Sequence, residues 1–308
     1  MQSTACSKIS IEGRRTYKVF TGTSALADQL REEALNYELH IDLLLIRIRH
    51  TRLGAILLAE IEQWGGKNWD KVTICRAAAG VPAQPYLTID TDPVLAAPLG
   101  KPFAFERRTG IGDSRHRIGE WHPQLDDRSA PPDNPLGLGM GSDAVILFDP
   151  QTGGMNSFPA QIYRGANQTH HLEGDGYYYE LIAWQEDEGL IHELIHALRI
   201  LQGQWYQAVL GKEWTQRYQD IEEFYGILIT NIYFSEKGYS ILRGDHHQGA
   251  LPQSENSSKL FLRHKDNLRL VKELSRTSPS LFNQIAHVRP LGGFNPIREY
   301  VINQSSYD

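Results

Sequence analysis

Two long segments in the C-terminal half of the chain carry apolar residues at the spacing of an α-helix. In residues 187–202 the apolar side chains fall at i, i+3, i+4 and i+7, and acidic residues at the start suit the positive end of a helix dipole. In residues 213–237 aromatic and aliphatic side chains trace one face, and Gly238 closes the pattern. We predict that these two helices dominate the C-terminal half.

Shorter patterns predict a small sheet and further helices. Residues 9–20 alternate loosely, residues 71–75 are a short run of β-formers, and residues 144–148 are uninterruptedly apolar. The last run requires burial on both faces of its strand. Helical spacing or capping signals mark residues 24–31, 51–65 and 262–274, and a last helix after Ser278. The combination indicates an α+β fold, a small sheet with a helix-rich C-terminal half.

Length and composition favour one domain. The chain has 308 residues, which is enough to bury a substantial core. Proline, aspartate and glycine dominate residues 123–141, and we interpret them as a long surface loop inside that domain. We expect a single domain over residues 1–308, with an N-terminal extension (1–42), an inserted loop region (100–141) and a helical C-terminal extension (240–308).

Charge and hydropathy exclude several classes of partner. A net charge of -6 gives no attraction to nucleic acid or to an anionic membrane. The longest apolar run, residues 43–46, is too short to cross a bilayer, and the first twenty residues lack the apolar stretch of a Sec signal peptide. Two cysteines cannot form a disulfide framework, so we expect Cys6 and a buried Cys75 to be free thiols in a protein that folds in a reducing compartment.

The candidate chemistry lies on the first long helix. Residues 192–196 read His-Glu-Leu-Ile-His, and residues four apart on a helix share one face, so both imidazoles can bind one metal ion. Glu193 can reach an attacking water without binding the metal. The pattern predicts a zinc site with His192 and His196 as ligands and Glu193 as general base. The alternative is a pair of ordinary helix histidines with polar partners.

A catalytic zinc with two histidines needs a third protein ligand and one open position. The Glu222-Glu223 pair on the second long helix is the candidate. One carboxylate can bind the metal while its neighbour hydrogen-bonds a ligand histidine. A solvated acidic patch is the alternative interpretation. The choice of Glu223 over Glu222 depends mainly on the family resemblance described below.

Further polar groups carry weaker signals for binding. Adjacent histidines usually point in different directions, so we expect His170-His171 and His246-His247 to lie in surface loops. A strand and not a helix follows the glycines of residues 137–141, which makes this segment a poor phosphate cradle.

Positive and phenolic side chains give two more sets of candidates. Solvated loops are the simplest interpretation of the arginines at positions 107, 108, 115 and 117. The candidates for an oxyanion donor, all downstream of the predicted third ligand, are Tyr233, Tyr239 and Arg243.

With these residues the chain resembles the NleD-type effector zinc metallopeptidases that bacterial pathogens deliver into other cells. The likeness spans roughly residues 43–237 and includes His-Glu-Leu-Ile-His-Ala at 192–197, the following Leu198-Arg199 and the Glu222-Glu223 pair. It also includes residues 142–150 with Thr152-Gly153-Gly154, and the helix-strand unit of residues 51–65 and 71–74. More distantly, the chain is similar to clostridial neurotoxin light chains, in which the second glutamate of a later Glu-Glu pair binds zinc.

The resemblance implies a zincin-like metallopeptidase in which Zn2+ is held by His192, His196 and Glu223, with Glu222 behind them. It also implies a zinc endopeptidase that is a bacterial effector or toxin, secreted without a Sec signal by a specialised system. Such an enzyme cleaves a protein substrate in the cytoplasm of a target cell. Residues 100–140 and about seventy residues after the second long helix depart from the family pattern, which leaves the substrate open.

Other functions fit the same residues. A zinc amidase acting on peptidoglycan peptides would use the same site. A pseudo-protease that binds a partner would not need its base, so the intact Glu193 argues against it. A structural zinc would need four protein ligands, and the sequence offers three good ones. Oligomeric state is not predicted.

Overall fold

The computed structural model describes residues 1–13, 24–65, 72–76, 103–106, 144–148, 170–171, 178–179, 186–202, 204, 217–218, 220–239, 241–245 and 250–307. In chain order the elements are β1 (Ile9–Glu12), α1 (Ser24–Arg49), α2 (Arg52–Trp64), β2 (Val72–Arg76), β3 (Phe103–Glu106), β4 (Ala144–Phe148), β5 (His170–His171), β6 (Tyr178–Tyr179), α3 (Glu186–Leu201), α4 (Ile221–Glu236), α5 (Ser258–Arg263), α6 (Lys265–Thr277), α7 (Pro279–Ala286), α8 (Pro296–Ile302) and a 3-10 turn (Gln304–Ser306).

A four-stranded sheet in the order β1-β2-β4-β3 lies under the helices. Strands β1, β2 and β4 are parallel, and β3 pairs antiparallel to β4 at the edge. Ala144, Ile146 and Phe148 of β4 are buried, as expected for an apolar strand inside a sheet. The fold is therefore mixed and mostly helical with a small sheet, which confirms the predicted combination of helices and strands.

Helix α3 occupies the centre of the molecule. It packs on β3 and β4 on one side and on α1, α2 and α4 on the others. Residues 187–201 are all buried, including the polar ones. The sequence predicted an apolar face on this helix. In the structure all of its sides are buried, because three helices and the sheet pack against it.

The N-terminal segment 1–42 contributes to the core. Strand β1 pairs with β2, and Ile9, Ile11 and Ile41 are fully buried. Asp42 on α1 accepts hydrogen bonds from Ser3 Oγ at 2.7 Å and from the backbone nitrogen and hydroxyl of Thr4 at 2.8 Å and 2.6 Å. The segment expected as an extension is thus joined to the sheet and to the rest of α1.

Two helices differ from their predicted bounds. The helix predicted over residues 24–31 continues to Arg49 as α1. The helix predicted from residue 213 begins at Ile221 as α4, because the Asp220 side chain caps it by accepting from the Glu223 backbone nitrogen at 3.0 Å. An aspartate cap is visible in the sequence, but the aromatic pattern upstream of it suggested an earlier start.

The C-terminal part is helical, and it docks on α2. Helices α5 to α8 follow α4 and pack on one another. Buried Glu60 of α2 accepts a hydrogen bond from Ser280 Oγ of α7 at 2.7 Å. Among the helices of the described ranges, none is long and apolar enough to cross a membrane.

Several predictions from the sequence meet the structure only in part. Residues 103–106 of the expected insert form β3, while the rest of that insert, including residues 123–141, lies outside the described residues. Cys75 is partly exposed and Cys6 is the buried cysteine, so the prediction for Cys75 was wrong. Thr73 and Ile74, its neighbours on β2, are buried.

Candidate metal centre

The two histidines of the motif lie one helical turn apart on α3 and face α4. His192, Glu193 and His196 are 4%, 6% and 2% exposed, so the motif is deep in the protein. The rings of His192 and His196 meet edge to face, with centroids 4.7 Å apart. Their Nε2 atoms are 3.1 Å apart, which brings both lone pairs to one point.

Glu223 reaches the same point from the first turn of α4. Its carboxylate oxygens lie 3.2 Å from His192 Nε2 and 3.6 Å from His196 Nε2. The Asp220 cap fixes the start of α4 by binding the Glu223 backbone, so the position of this side chain follows from where the helix begins. His192, His196 and Glu223 form one group whose ligand atoms all lie within 4.8 Å of one another.

The donor atoms have the spacing that a tetrahedral metal requires. Ligands about 2.0–2.1 Å from zinc are about 3.3 Å from one another in a tetrahedron. The two Nε2 atoms are 3.1 Å apart, Glu223 Oε2 is 3.2 Å from His192 Nε2, and Glu223 Oε1 is 3.6 Å from His196 Nε2, so each imidazole has a carboxylate oxygen near this distance. Two imidazole nitrogens and one carboxylate oxygen are also a ligand set that zinc accepts. The residues therefore fit a single metal ion with one position left open.

Two residues of α4 shape the space around His192, and sequence reasoning missed both. Thr230 Oγ1 lies 3.5 Å from His192 Nδ1 and is fully buried. A proton held on Nδ1 towards this hydroxyl leaves the Nε2 lone pair for a metal. Gly226 has no side chain where a Cβ would lie 2.7 Å from His192 Cε1 and 3.0 Å from His196 Cε1. Gly226 and Thr230 follow Glu223 by three and seven residues, which puts them on the same face of α4 as this predicted ligand. That spacing could have identified both from the sequence.

Glu222 is held by a guanidinium in the structure. Arg199 donates to it through Nε at 2.5 Å and NH2 at 2.8 Å, and both residues are buried. Burial alone would lower the pKa of Arg199, but the Glu222 carboxylate more than offsets this, and the pKa is raised. The sequence predicted that Glu222 accepts a hydrogen bond from a ligand histidine. In the structure Glu222 accepts from Arg199, and this contact joins α3 to α4.

Arg243 brings a buried positive charge to the site. Burial lowers its pKa to about 10 against the opposing charges of Glu223, Asp245 and Glu193. It therefore remains protonated at neutral pH. The side chain of Asn231 holds its backbone by accepting from the nitrogen and donating to the oxygen, both at 2.7 Å. Of the three candidates for an oxyanion donor, Arg243 is the one whose positive charge acts on both Glu223 and Glu193.

The two tyrosine candidates lie at the other end of α3. The Tyr233 hydroxyl donates to Asp187 Oδ2 at 2.6 Å, and burial together with this carboxylate raises the pKa of Tyr233. Tyr239 follows the end of α4 and packs against Phe234 with ring centroids 5.9 Å apart. These contacts assign the tyrosines to the junction of α3 and α4.

The remaining candidate groups form a strand or lie outside the described residues. His170-His171 form strand β5, which pairs with β6, and the prediction of a loop there was wrong. The His246-His247 pair, the glycines of 137–141 and the arginines at 107, 108, 115 and 117 lie outside the described residues.

Neither the family models nor the curated proteins searched give a match to this chain.

Proposed function

We propose that the chain is a zinc-dependent endopeptidase of zincin-like architecture that cleaves a protein substrate. The observation that carries the proposal is the convergence of His192, His196 and Glu223 at the spacing of a tetrahedral ion, with Glu193 beside them on the same helix. Zinc, when bound, supplies Lewis-acid chemistry that acidifies water and polarises a carbonyl.

The chain's own residues would divide the remaining work. Glu193 takes the proton of the attacking water and returns it to the leaving amine, as a buried carboxylate next to the ligands can do. Arg243 offers a fixed positive charge to the oxyanion that forms on the carbonyl. Thr230 and the Arg199–Glu222 pair hold the ligand-bearing faces of α3 and α4 in register.

The biological setting belongs to the same proposal and rests on the sequence resemblance. A chain of this family is a secreted bacterial effector that leaves the cell without a Sec signal and acts in the cytoplasm of a target cell. The substrate is then a cytoplasmic protein of that cell, cleaved at one or a few peptide bonds.

The zinc content of the purified chain is the first test. We expect about one zinc per wild-type chain after dialysis, about one in Glu193→Gln, and a large loss in Glu223→Ala. Full zinc in Glu223→Ala would remove that residue from the ligand set. Absence of zinc from folded wild type would favour the alternative of a pseudo-protease that binds a partner.

Turnover is tested separately with a degenerate peptide library read by mass spectrometry. We expect Glu193→Gln to lose at least about a hundredfold in rate while keeping its zinc, because a general base contributes about that much or more. Cleavage by Glu193→Gln at the wild-type rate would contradict the assigned base. Cleavage of purified peptidoglycan but of no peptide or lysate protein would favour the amidase.

A further inference from the structure

Arg243 lies in a stretch of chain beyond α4 whose backbone pairs with itself. Arg243 forms an antiparallel bridge with Ala250, and the Leu251 nitrogen donates to the Leu242 oxygen at 2.7 Å. At Gly244 the two sides come so close that an added Cβ would lie 2.4 Å from the Ala250 oxygen. Main-chain pairing therefore holds the backbone around Arg243 on one side.

Asn231 of α4 holds the backbone of Arg243 on another side. Its Oδ1 accepts from the Arg243 nitrogen and its Nδ2 donates to the Arg243 oxygen, both at 2.7 Å, and the side chain is buried. A side-chain amide carries a donor and an acceptor next to each other, so it can bind both main-chain groups of one residue. The preceding residue, Thr230, lies 3.5 Å from His192 Nδ1. One turn of α4 therefore contacts both a ligand histidine and the backbone of Arg243.

Arg217 binds the next residue of this stretch from a third element. Its Nε donates to the Gly244 oxygen at 2.5 Å, and its NH1 donates to both carboxylate oxygens of Glu255 at 2.9 Å and 3.0 Å. Asn267 of α6 donates to the same carboxylate at 3.1 Å. These bonds tie the backbone after Arg243 to the segment before α4 and to α6.

The guanidinium of Arg243 is fixed together with its backbone. Its Nε donates to the Asp245 oxygen, two residues further on, at 2.6 Å, and the side chain is buried. Its positive charge acts on Glu223 and Glu193. A charge that stabilises an oxyanion must stand in place before the reaction, and a displacement of about 1 Å can cost about a hundredfold in rate. The contacts that fix this backbone therefore determine how well the charge is placed.

We propose that Asn231 and Arg217 are positioning residues that act on the reaction through Arg243. The proposal rests on the function proposed above, in which Arg243 faces the oxyanion that forms on the carbonyl. Each of the two residues sets where the guanidinium stands. A buried side chain that only stabilises the fold would instead change the free energy of unfolding and leave the rate of the folded enzyme unchanged.

The first test is a double-mutant cycle on the peptide that wild type cleaves fastest in the library. We expect Arg243→Met to lower kcat about a hundredfold or more, because one oxyanion donor is lost. Asn231→Ala is expected to lower kcat about tenfold or more, with KM unchanged within about twofold and full zinc content. In the Arg243→Met background Asn231→Ala has nothing further to misplace, so we expect no additional loss of kcat.

Arg217→Gln is a second variant, which tests the proposal even if Asn231→Ala does not fold. The Arg217 side chain is 20% exposed, so its replacement disturbs the core less than replacement of Asn231 does. We expect the same pattern: a lower kcat, an unchanged KM, full zinc content, and no additional loss of kcat in the Arg243→Met background.

Asn295→Ala is the matched control. Asn295 is also buried, and its side chain also binds main-chain groups: it accepts from the Arg298 nitrogen at 3.0 Å and donates to the oxygens of Ile285 and Val288 at 2.9 Å and 3.1 Å. These partners belong to the C-terminal helices and their connections. We expect Asn295→Ala to lower the urea midpoint while the folded fraction keeps the kcat of wild type.

A tetrahedral inhibitor gives a readout that does not depend on turnover. The cleaved peptide, with its scissile amide replaced by a phosphinate, carries anionic oxygens where the oxyanion would form, and it resembles the transition state. In Asn231→Ala and in Arg217→Gln we expect the Ki of this phosphinate to rise by the factor by which kcat/KM falls. An unchanged Ki in both variants would overturn the proposal.

The remaining outcomes separate this proposal from the proposed function. Additive losses of kcat in the cycle overturn the positioning role, and so does wild-type kcat in folded Asn231→Ala or Arg217→Gln. Loss of zinc from either variant also overturns it, because the residue would then support the metal site directly. If wild type holds zinc and needs Glu193 for cleavage, these results refute the positioning role alone. Wild type without zinc or cleavage refutes the proposed function, and the positioning role with it.

Discussion

Gly226 lies at the closest approach of α4 to the two histidines. A Cβ at this position would come within 2.7 Å of His192 Cε1, so the ring or the helix would have to move. Metal sites hold their ligand distances within about 0.2 Å. A displacement of a ligand ring by a few tenths of an ångström therefore lowers the affinity for the metal ion. The glycine is needed here for space and not for an unusual backbone conformation.

We predict that Gly226→Ala weakens zinc binding about tenfold or more, as changes that reorient a ligand histidine commonly do. Competition with a chromophoric chelator measures the affinity. Gly293→Ala is the control for a destabilising change away from the histidines, because the φ of +78° strains an alanine there although an added Cβ meets nothing within 4 Å. Equal zinc affinity in Gly226→Ala and wild type would mean that the rings are not held where the structure places them.

For single residues, the sequence predicted those of the His-Glu-Leu-Ile-His motif but not the residues of α4 that pack around them. His192 and His196 could be paired because a helix fixes their spacing. Thr230 and Gly226 depend on how α4 is rotated against α3, and periodicity alone does not set that rotation. The role of Glu222 depends on the same contact, because Arg199 reaches it only across the pair of helices.

The pairing of α3 with α4 depends on a buried ion pair. Arg199 and Glu222 are 2% and 0% exposed, and the Arg199 guanidinium also lies over the Tyr225 ring at 4.5 Å. Removing one partner leaves the other charge buried without its counter-ion. Replacing both by apolar side chains removes the desolvation cost together with the attraction.

We predict that Arg199→Met destabilises the metal-free protein by about 3–5 kcal/mol, and that Arg199→Met/Glu222→Met is clearly more stable than this single variant. Urea denaturation in the presence of a chelator measures the free energy of unfolding without a contribution from zinc. Equal losses in the single and double variants would show that the two side chains act independently.

Element boundaries were less predictable than element types. The strands at 71–75 and 144–148 and the motif helix were found because their apolar patterns are strong. The start of α4 was misplaced because Trp214 and Tyr218 continue its aromatic pattern upstream of the Asp220 cap. The strand at 103–106 was missed because four residues carry too little pattern to distinguish a strand from a loop.

A second charged cluster joins three helices of the molecule, α1, α3 and α4. Asp187 at the start of α3 accepts from Lys237 Nζ at 3.0 Å at the end of α4, and Arg47 of α1 lies 3.8 Å away. Lys237 also donates to Glu188 at 2.9 Å. Burial alone would lower the pKa of Lys237, but the Glu188 and Asp187 carboxylates more than offset it, so the pKa is raised.

The sign of this shift predicts a loss of stability at alkaline pH. A lysine whose pKa is raised by folding stabilises fully below its unfolded value of about 10.4, and this contribution is lost as pH rises through the higher folded value. We predict that Lys237→Met costs about 2 kcal/mol at neutral pH and progressively less above about pH 10.5. Urea denaturation of both proteins across this range measures the difference. A difference that grows with pH would contradict the assignment.

The order of the strands could not be predicted from the sequence. Periodicity identified three of the strands, but each pairs with a partner distant in sequence, and nothing local specifies which. The family resemblance begins at about residue 43, so it predicted no position in the fold for β1 or for most of α1. The structure gives both a place in the core through Asp42 and the β1–β2 pairing.

The parallel order of β1, β2 and β4 also determines how the chain reaches its fold. Ser10 and Thr73, which meet across β1 and β2, are separated by 63 residues, and β4 joins β2 over a similar distance. Such nonlocal pairing must overcome loop-closure entropy before the strands meet, so we expect slow folding and a newly made chain that stays open for longer. A chain that collapses late can be engaged by chaperones or threaded through a narrow channel before its core closes.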